Sequence, residues 1–456
     1  MFERIPVIGL DGIPRQSRPS YAREFRHLTL WSIVVGAIEG NIAGIVAFKT
    51  FDASPVLTSL VWSIPVFMNT LNLFWSVVIR GRRRIPLLIT LATFVTLCVG
   101  SLALTPATLA GAGWLFAAQM ALTHFFFSGL TTLRSSIWNA NYPSTHRGRV
   151  VGRLQTLRLL IAMISGGAIA WLFDSDPHMY RVVYPVVALC GLLSLIPARL
   201  IRVRGEARTE RERPPTEARR GLWQELAAGL RDSAEILRTD RRFARYMNAQ
   251  FLLGAASFAT DGLLVRAIPE RLGAGYYASS FLMLQLPAAV MLVSIRFWAP
   301  LFDRVGAIHF RVYNSAAWLA VYALTTASML LVELGGSDWL MTAVALLVLG
   351  RVAQGFSQAG GTIAWSIGHL HFSSGDRSDL YMGIHVALTG LRGMLMPIVS
   401  VLLNAWIGNV SFAVSIALAT ASFILFWRLS RDEVRANQPG EQTGQAIVQL
   451  RADADS

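Results

Sequence analysis

The sequence predicts an all-α polytopic membrane protein, with 12 transmembrane helices in two pseudo-symmetric six-helix bundles. Three observations predict it. Twelve apolar stretches run through the 456 residues, each at least as long as the roughly 20 residues that cross a 30 Å hydrocarbon core as a helix. Charged residues make up only 15% of the chain, against about 25% in soluble proteins. The arginines collect in every second connection between the stretches.

The spans fall at 28–50, 56–79, 85–104, 113–139, 154–174, 182–201, 246–268, 276–298, 310–332, 338–367, 381–404 and 408–429. One set of connections holds Arg80 to Arg84, then Arg147, Arg149 and Arg153, the 202–245 segment, Arg304 and Arg311, Arg377, and finally Arg428, Arg431 and Arg435. The other set is short and almost free of arginine: Phe51 to Pro55, Thr105 to Ala112, Asp174 to Arg181, Glu270 to Gly275, Glu333 to Trp339 and Ala405 to Asn409. The positive-inside rule makes the first set cytoplasmic. Both termini are then cytoplasmic, which requires an even number of spans, in an integral protein of the cytoplasmic (inner) membrane. Residues 1–27 are a polar cytoplasmic tail without the apolar core of a signal peptide. Residues 430–456 read as a disordered cytoplasmic tail.

Residues 202–245 divide an N-terminal bundle (28–201) from a C-terminal bundle (246–429). The first part of this linker is charged, contains Pro214 and Pro215, and reads as flexible. In the second part Trp223, Leu226, Leu230 and Leu237 recur at helical spacing, which predicts an amphipathic helix on the membrane face or against the bundle. The halves also resemble each other. Phe74-Trp75 and Phe297-Trp298 end the second span of each half. Ser136-Ile137 and Ser366-Ile367 close the fourth, and Leu157-Arg158 and Leu391-Arg392 belong to the fifth. Matches in this order point to a duplicated six-helix unit.

Several function classes are excluded. The net charge of +14 sits in short loops between spans, where it sets orientation, so nucleic acid is not a partner. Cys98 and Cys190 fall inside spans and read as reduced thiols. There is no Gly-rich phosphate loop, zinc motif or nucleophile elbow, so no cofactor, metal or enzymatic activity is expected. His369 and His371 alone are too few for a metal site. Trp31, Trp114, Trp171, Trp339, Trp406 and Trp427 lie near span ends and fit interfacial belts.

Ionisable residues inside spans are costly and therefore candidates for function. Glu39 lies about eleven residues into span one, and His124 about as deep in span four. Gly36 and Gly40 beside Glu39 allow close helix approach. Asn41 and Asn69 add polar groups at similar depth. Asp261 lies in span seven. Arg351 lies near the middle of span ten, with Gln354 and Gln358 following on successive turns. A carboxylate held in an apolar cavity is the expected carrier of a coupled proton, which ranks Glu39 first and Asp261 second. Arg351 is either an anion-binding group or the counter-ion of Glu39 or Asp261. The structural alternatives are a static Glu39–Arg351 pair, an Asp261–Arg266 pair at the rim, and a packing role for His124 beside Phe125 to Phe127. Arg134 and Arg158 read as snorkelling or capping near the cytoplasmic face, and Arg392 lies deeper.

Two motifs carry a family resemblance. Ala299-Pro300-Leu301-Phe302-Asp303-Arg304-Val305-Gly306 resembles the Gly-x-Leu-x-Asp-Arg-x-Gly signature of the major facilitator superfamily, with Ala for the first Gly. Gly350-Arg351-Val352-Ala353-Gln354-Gly355 resembles the Arg-x-x-Gln-Gly element of its proton-linked members, displaced from span four to span ten. The resemblance implies a secondary transporter working by alternating access, with spans one, four, seven and ten around a central cavity. Glu39, His124, Asp261 and Arg351 fall one on each of these spans. It also implies a cytoplasmic gating motif in Asp303, Arg304 and Gly306, with Arg80, Arg82, Arg83 and Arg84 in the matching N-terminal loop, where Arg80 stands in place of the acid. The expected function is proton-coupled transport of a small organic solute by a monomer in the lipid bilayer. The alternative is a facilitator-fold scaffold or sensor that acts through a membrane partner.

Overall fold

The computed structural model describes residues 13–39, 41–79, 82–206, 222–372 and 378–436. Gly40, Arg80, the proline-containing part of the linker, Asp376, Arg377 and the last twenty residues lie outside the described residues, with the expectations placed on them.

Span one is two helices, Arg18–Ile38 and Ile42–Lys49, bent by 42° at the break between them. Span two is Pro55–Met68 and Asn72–Ile79, joined by a tight turn at Asn69–Leu71. Arg84–Ser101, Ala112–Asn141, Ser144–Ser175 and Tyr180–Arg199 complete the N-terminal half. The linker helix runs from Leu222 to Thr239, and span seven from Arg241 to Arg271. Span eight begins at Tyr276, passes through one π-helical turn at Phe281–Gln285, and continues into Leu286–Gly335, which also holds span nine. Leu340–Ile367, Ser378–Ile407 and Ala413–Ala436 follow.

Among the described residues, seven helical segments are long and apolar enough to cross a membrane, or eight counting the bent pair of span one. Two of them, Tyr276–Gly335 and Leu380–Arg435, have 60 and 56 residues. At 1.5 Å per residue each has the length for two crossings. The first turns back at Gly306, with φ +74°, and the second at Gly408, with φ +61°. Span four, at 30 residues, carries Gln119, His124 and Arg134, with several Ser, Thr and Asn residues toward its C-terminal half. Several helices begin well before the apolar stretch that revealed them. The helix of span one starts at Arg18, and that of span five at Ser144, ten residues earlier than their apolar parts.

The halves share one packing plan. Span one packs between spans five and six, and span seven packs between spans eleven and twelve. The Phe-Trp pairs also make the same contact twice. Trp75 Nε1 donates to the Phe125 carbonyl at 3.0 Å, and Trp298 Nε1 to the Phe356 carbonyl at 2.8 Å. Each indole lies against a glycine of the neighbouring span, Gly129 or Gly360, where a Cβ would come within 2.8 Å of the ring.

Spans two and eleven pack across the division between the halves, as do spans five and eight. Hydrogen bonds cross it from the middle of the bundle to the end with few arginines. Asp174 of span five accepts from the backbone N–H groups of Tyr276 and Tyr277 at 2.6 and 2.8 Å. Thr50 bonds the Tyr276 hydroxyl at 2.9 Å, Lys49 donates to the Ala274 carbonyl at 3.1 Å, and Ser59 to the Gly262 carbonyl at 3.0 Å. The linker helix lies against spans seven and eleven and the second half of span two.

Two glycines are tied to this geometry in different ways. Gly306 has open space around its Cβ position, so its φ of +74° is the whole constraint. Gly306→Ala should cost roughly 1–3 kcal/mol, because φ +74° with ψ 169° is a backbone region essentially confined to glycine, visible as a drop in melting temperature in detergent. An unchanged melting temperature would show that the turn relaxes freely. At Gly36 a Cβ would meet the Ala162 carbonyl at 2.6 Å and Ser165 Oγ at 2.2 Å on span five. Gly36→Leu forces spans one and five apart, and should cost roughly 1–3 kcal/mol or more and lower the yield of monodisperse protein. A well-behaved variant of wild-type stability would refute the close approach.

Candidate functional site

The break in span one places its polar residues. Glu39 caps the first helix in extended conformation (φ −92°, ψ 173°), and its carboxylate accepts from Arg158 Nη2 of span five. The two side chains are 29% and 28% exposed, a half-buried ion pair. Asn41 is buried beyond the break. Its amide donates to the Met283 carbonyl of span eight at 2.9 Å, and its Oδ1 accepts from Trp62 Nε1. His124 is buried behind this point, with Nε2 bonded to the Ile38 carbonyl at 3.3 Å and its ring edge-on to Phe127. Since a carbonyl only accepts, His124 Nε2 is the protonated nitrogen.

In the C-terminal half, Arg351 Nη1 donates to Asp261 Oδ1 at 2.9 Å, and Gln354 Nε2 to Asp261 Oδ2 at 3.1 Å. Arg351 Nη2 reaches Thr325 Oγ1 at 3.3 Å, and the Arg351 side chain is 1% exposed. Gly355 closes the same Gly-Arg-x-x-Gln-Gly element. A Cβ there would lie 2.4 Å from the Pro287 carbonyl of span eight. The element therefore acts in two ways. Its arginine and glutamine hold Asp261, and its last glycine admits span eight.

The expected pairings change accordingly. Glu39 pairs with Arg158 and Arg351 with Asp261, so a Glu39–Arg351 pair is not formed. Arg266 pairs with Glu270 at 2.6 Å one turn along its own helix, and does not hold Asp261. Arg134 neither snorkels nor caps. Its Nη2 donates to His27 Nε2 at 3.0 Å, while His27 Nδ1 donates to the Ser194 carbonyl at 2.9 Å. Trp31 is fully buried against His27 and Phe127, which removes it from the interfacial belt, whereas Trp114, Trp171, Trp339, Trp406 and Trp427 are exposed. His371 bonds Glu433 at 3.0 Å.

A cavity of about 490 Å³ lies between the halves. Asn41, Trp62 and Leu159 line it from the N-terminal side. Asp261, Gln354 and Gln358 line it from the C-terminal side, together with Gln250, Phe258, Trp318 and Trp365. Arg311 and Arg392 complete that wall. Glu39, Asn69, His124 and Arg351 do not line it. Asn69 is exposed in the turn of span two, and the other three sit behind the wall or beside it. Sequence alone does not single out Arg311, Arg392 or the aromatic residues as cavity residues. The available signal is Trp62, Trp318 and Trp365 lying inside spans instead of at their ends. Of the gating cluster, Asp303 and Arg304 are exposed beside the turn at Gly306, Arg82 and Arg83 are exposed, and the backbone N–H of Arg84 donates to Glu206 at 2.8 Å.

Known proteins share this architecture. A crystal structure of the nucleoside transporter NupG aligns at TM-score 0.61 with 15% identity, covering 92% of this chain and 99% of that one. A D-xylose-proton symporter aligns at TM-score 0.66 and 13% identity, covering 90% and 97%. A POT family transporter in complex with 5-aminolevulinic acid aligns at 0.66 and 12%, covering 95% and 99%. At such identities the likeness shows the fold. No curated protein matches this chain. The sequence profile of the Major Facilitator Superfamily matches residues 28–346, over half of the chain and through nine of its spans. The chain is an integral membrane protein that belongs to the major facilitator superfamily of secondary transporters.

Proposed function

We propose that this protein moves a small organic solute across the inner membrane by alternating access, coupled to protons through Asp261. The observation that carries this reading is the cavity of about 490 Å³ between the halves, with Asp261 in its wall and the buried Arg351 behind it. The volume lies within the roughly 300–1,000 Å³ of ligand sites. Asp261 is the only carboxylate among the described residues that line the cavity. A proton on Asp261 would free the guanidinium of Arg351 from its partner and change the wall the solute meets, which is the link coupling requires. Glu39 ranks second because Arg158 holds it away from that wall. The distribution of arginine supports cytoplasmic termini. In that orientation the bonds of Asp174, Thr50, Lys49 and Ser59 close the outer side, and the solute site communicates with the cytoplasm.

In proteoliposomes with an imposed proton gradient, wild-type protein should accumulate a solute that stabilises the purified protein. Asp261→Asn should abolish accumulation while retaining exchange of labelled for unlabelled solute. Accumulation that persists in Asp261→Asn, and is lost instead in Glu39→Gln, moves coupling to the N-terminal half. No flux of any stabilising solute, in wild type or variant, counts against transport.

The half-buried pair predicts a separate stability effect. Glu39→Gln and Arg158→Gln should each cost about 1–2 kcal/mol, less than for a fully buried pair because the groups keep some hydration. The double variant should cost clearly less than the sum. Melting temperatures of the four proteins measure this, and strict additivity would show that the pair contributes nothing.

A further inference from the structure

The two halves carry equivalent arginines in unequal surroundings. Arg158 lies on span five and Arg392 on span eleven, in the repeated Leu-Arg pair. Arg158 is neutralised by Glu39. Arg392, 4% exposed, has no carboxylate partner among the described residues. It donates to the Gln250 carbonyl and, at 3.2 Å, to Thr389 Oγ1, lies 5.8 Å from the Phe258 ring, and leaves Nε without a partner. A second guanidinium in the same wall is in the same position. Arg311 of span nine is 1% exposed, donates from Nη1 to Asn314 Oδ1 at 2.9 Å, and leaves Nε and Nη2 without partners among the described residues. The one carboxylate described in that wall, Asp261, is occupied by Arg351 and Gln354.

An unpaired charge away from water costs several kcal/mol, so buried guanidiniums are found with a counter-charge or a bound anion. Here the protein brings two arginines to the cavity and, among the described residues, gives neither an acid. From this geometry we infer that the cavity binds a small organic anion, its carboxylate or phosphate group held by Arg311 and Arg392 and its body against Trp62, Phe258, Trp318 and Trp365. The planar guanidinium matches either oxyanion bidentately. The indole and phenyl faces supply the apolar contact that orients the remainder of a solute. The inference rests on reading this cavity as the solute site.

The test uses the full-length protein in detergent at one fixed pH. Melting temperature is recorded against benzoate, indole-3-acetate and phenyl phosphate, each beside its neutral amide or alcohol, and against inorganic phosphate. The organic anions should raise the melting temperature saturably while their neutral counterparts do not. Arg311→Gln and Arg392→Gln should each weaken the anion at least about 10-fold, the scale of a lost charge-assisted hydrogen bond. Arg158→Gln should leave anion affinity unchanged. If a Gln variant aggregates, Arg311→Lys and Arg392→Lys keep the charge, lose the bidentate fork, and should still bind more weakly than wild type.

Equal shifts from anion and amide overturn the inference. So do anion binding that survives in the Arg311→Gln/Arg392→Gln double variant, inorganic phosphate binding as tightly as the aromatic anions, or no shift from any anion. The transport reading fails separately. Saturable anion binding with no flux in proteoliposomes leaves the anion site standing without transport, and flux of a neutral or cationic solute leaves transport standing without the anion site.

Discussion

A charged side chain between membrane-spanning helices has little water to turn to, and much of this structure depends on which of them find partners. Glu39 finds Arg158, Asp261 finds Arg351, and Arg134 finds the imidazole of His27. Each pair joins two helices distant in sequence: span one to span five, span seven to span ten, span four to span one. Because breaking such a contact strands a charge, each pair ties together helices that the chain leaves far apart. The glycines then set how near those neighbours come. Gly36 brings span one onto span five, and Gly355 brings span ten onto span eight.

The duplication shows which features serve packing and which do not. The indoles of Trp75 and Trp298 bond the same carbonyl position of the neighbouring span and cover the same glycine. That contact is kept in both halves because it holds each bundle together. The arginines of spans five and eleven diverge. One is neutralised within its own half, and the other faces the cavity. A scaffold that needed only stability would neutralise both, since a buried unpaired guanidinium is a loss. The asymmetry lies where the two halves meet, in the wall of the cavity proposed to hold the solute.

The fold is legible in the sequence because hydropathy and arginine placement are one-dimensional signals, and a bilayer turns them directly into topology. Asp261, Arg351 and Gln354 are legible as candidates for the same reason: polar groups at that depth need a purpose. Their pairing is not, because a partner depends on the rotation of each helix about its axis. Arg158 reads as superficial in a span that begins at 154. The helix begins at Ser144, which puts Arg158 about 21 Å along it and within reach of Glu39. Arg311 reads as a loop cation. The chain turns back at Gly306, so Arg311 is already inside the helix of span nine and 1% exposed. In both cases the apolar stretch marks the part of a helix that meets lipid, while the helix itself extends further.

A solute can drive this molecule only through contacts that differ between its states. In the state described, the bonds of Asp174 to Tyr276 and Tyr277, of Thr50 to Tyr276 and of Ser59 to Gly262 hold the halves together at one end. The tyrosines among these partners begin a segment that soon enters one π-helical turn, a local departure from regular helix at the root of span eight. Opening that end must break these bonds. The gain that offsets them has to come from the cavity, and Asn41 shows how close the two are. Its Oδ1 holds Trp62 of the cavity wall, and its Nδ2 holds the Met283 carbonyl in that same π-helical turn. A ligand that moves Trp62 therefore acts on the residue that ties span one to span eight. The carboxylate of Asp261 and the guanidiniums of Arg311 and Arg392 face the same space. In the proposed cycle, proton, solute and closure meet in one cavity, with no long-range relay needed between them.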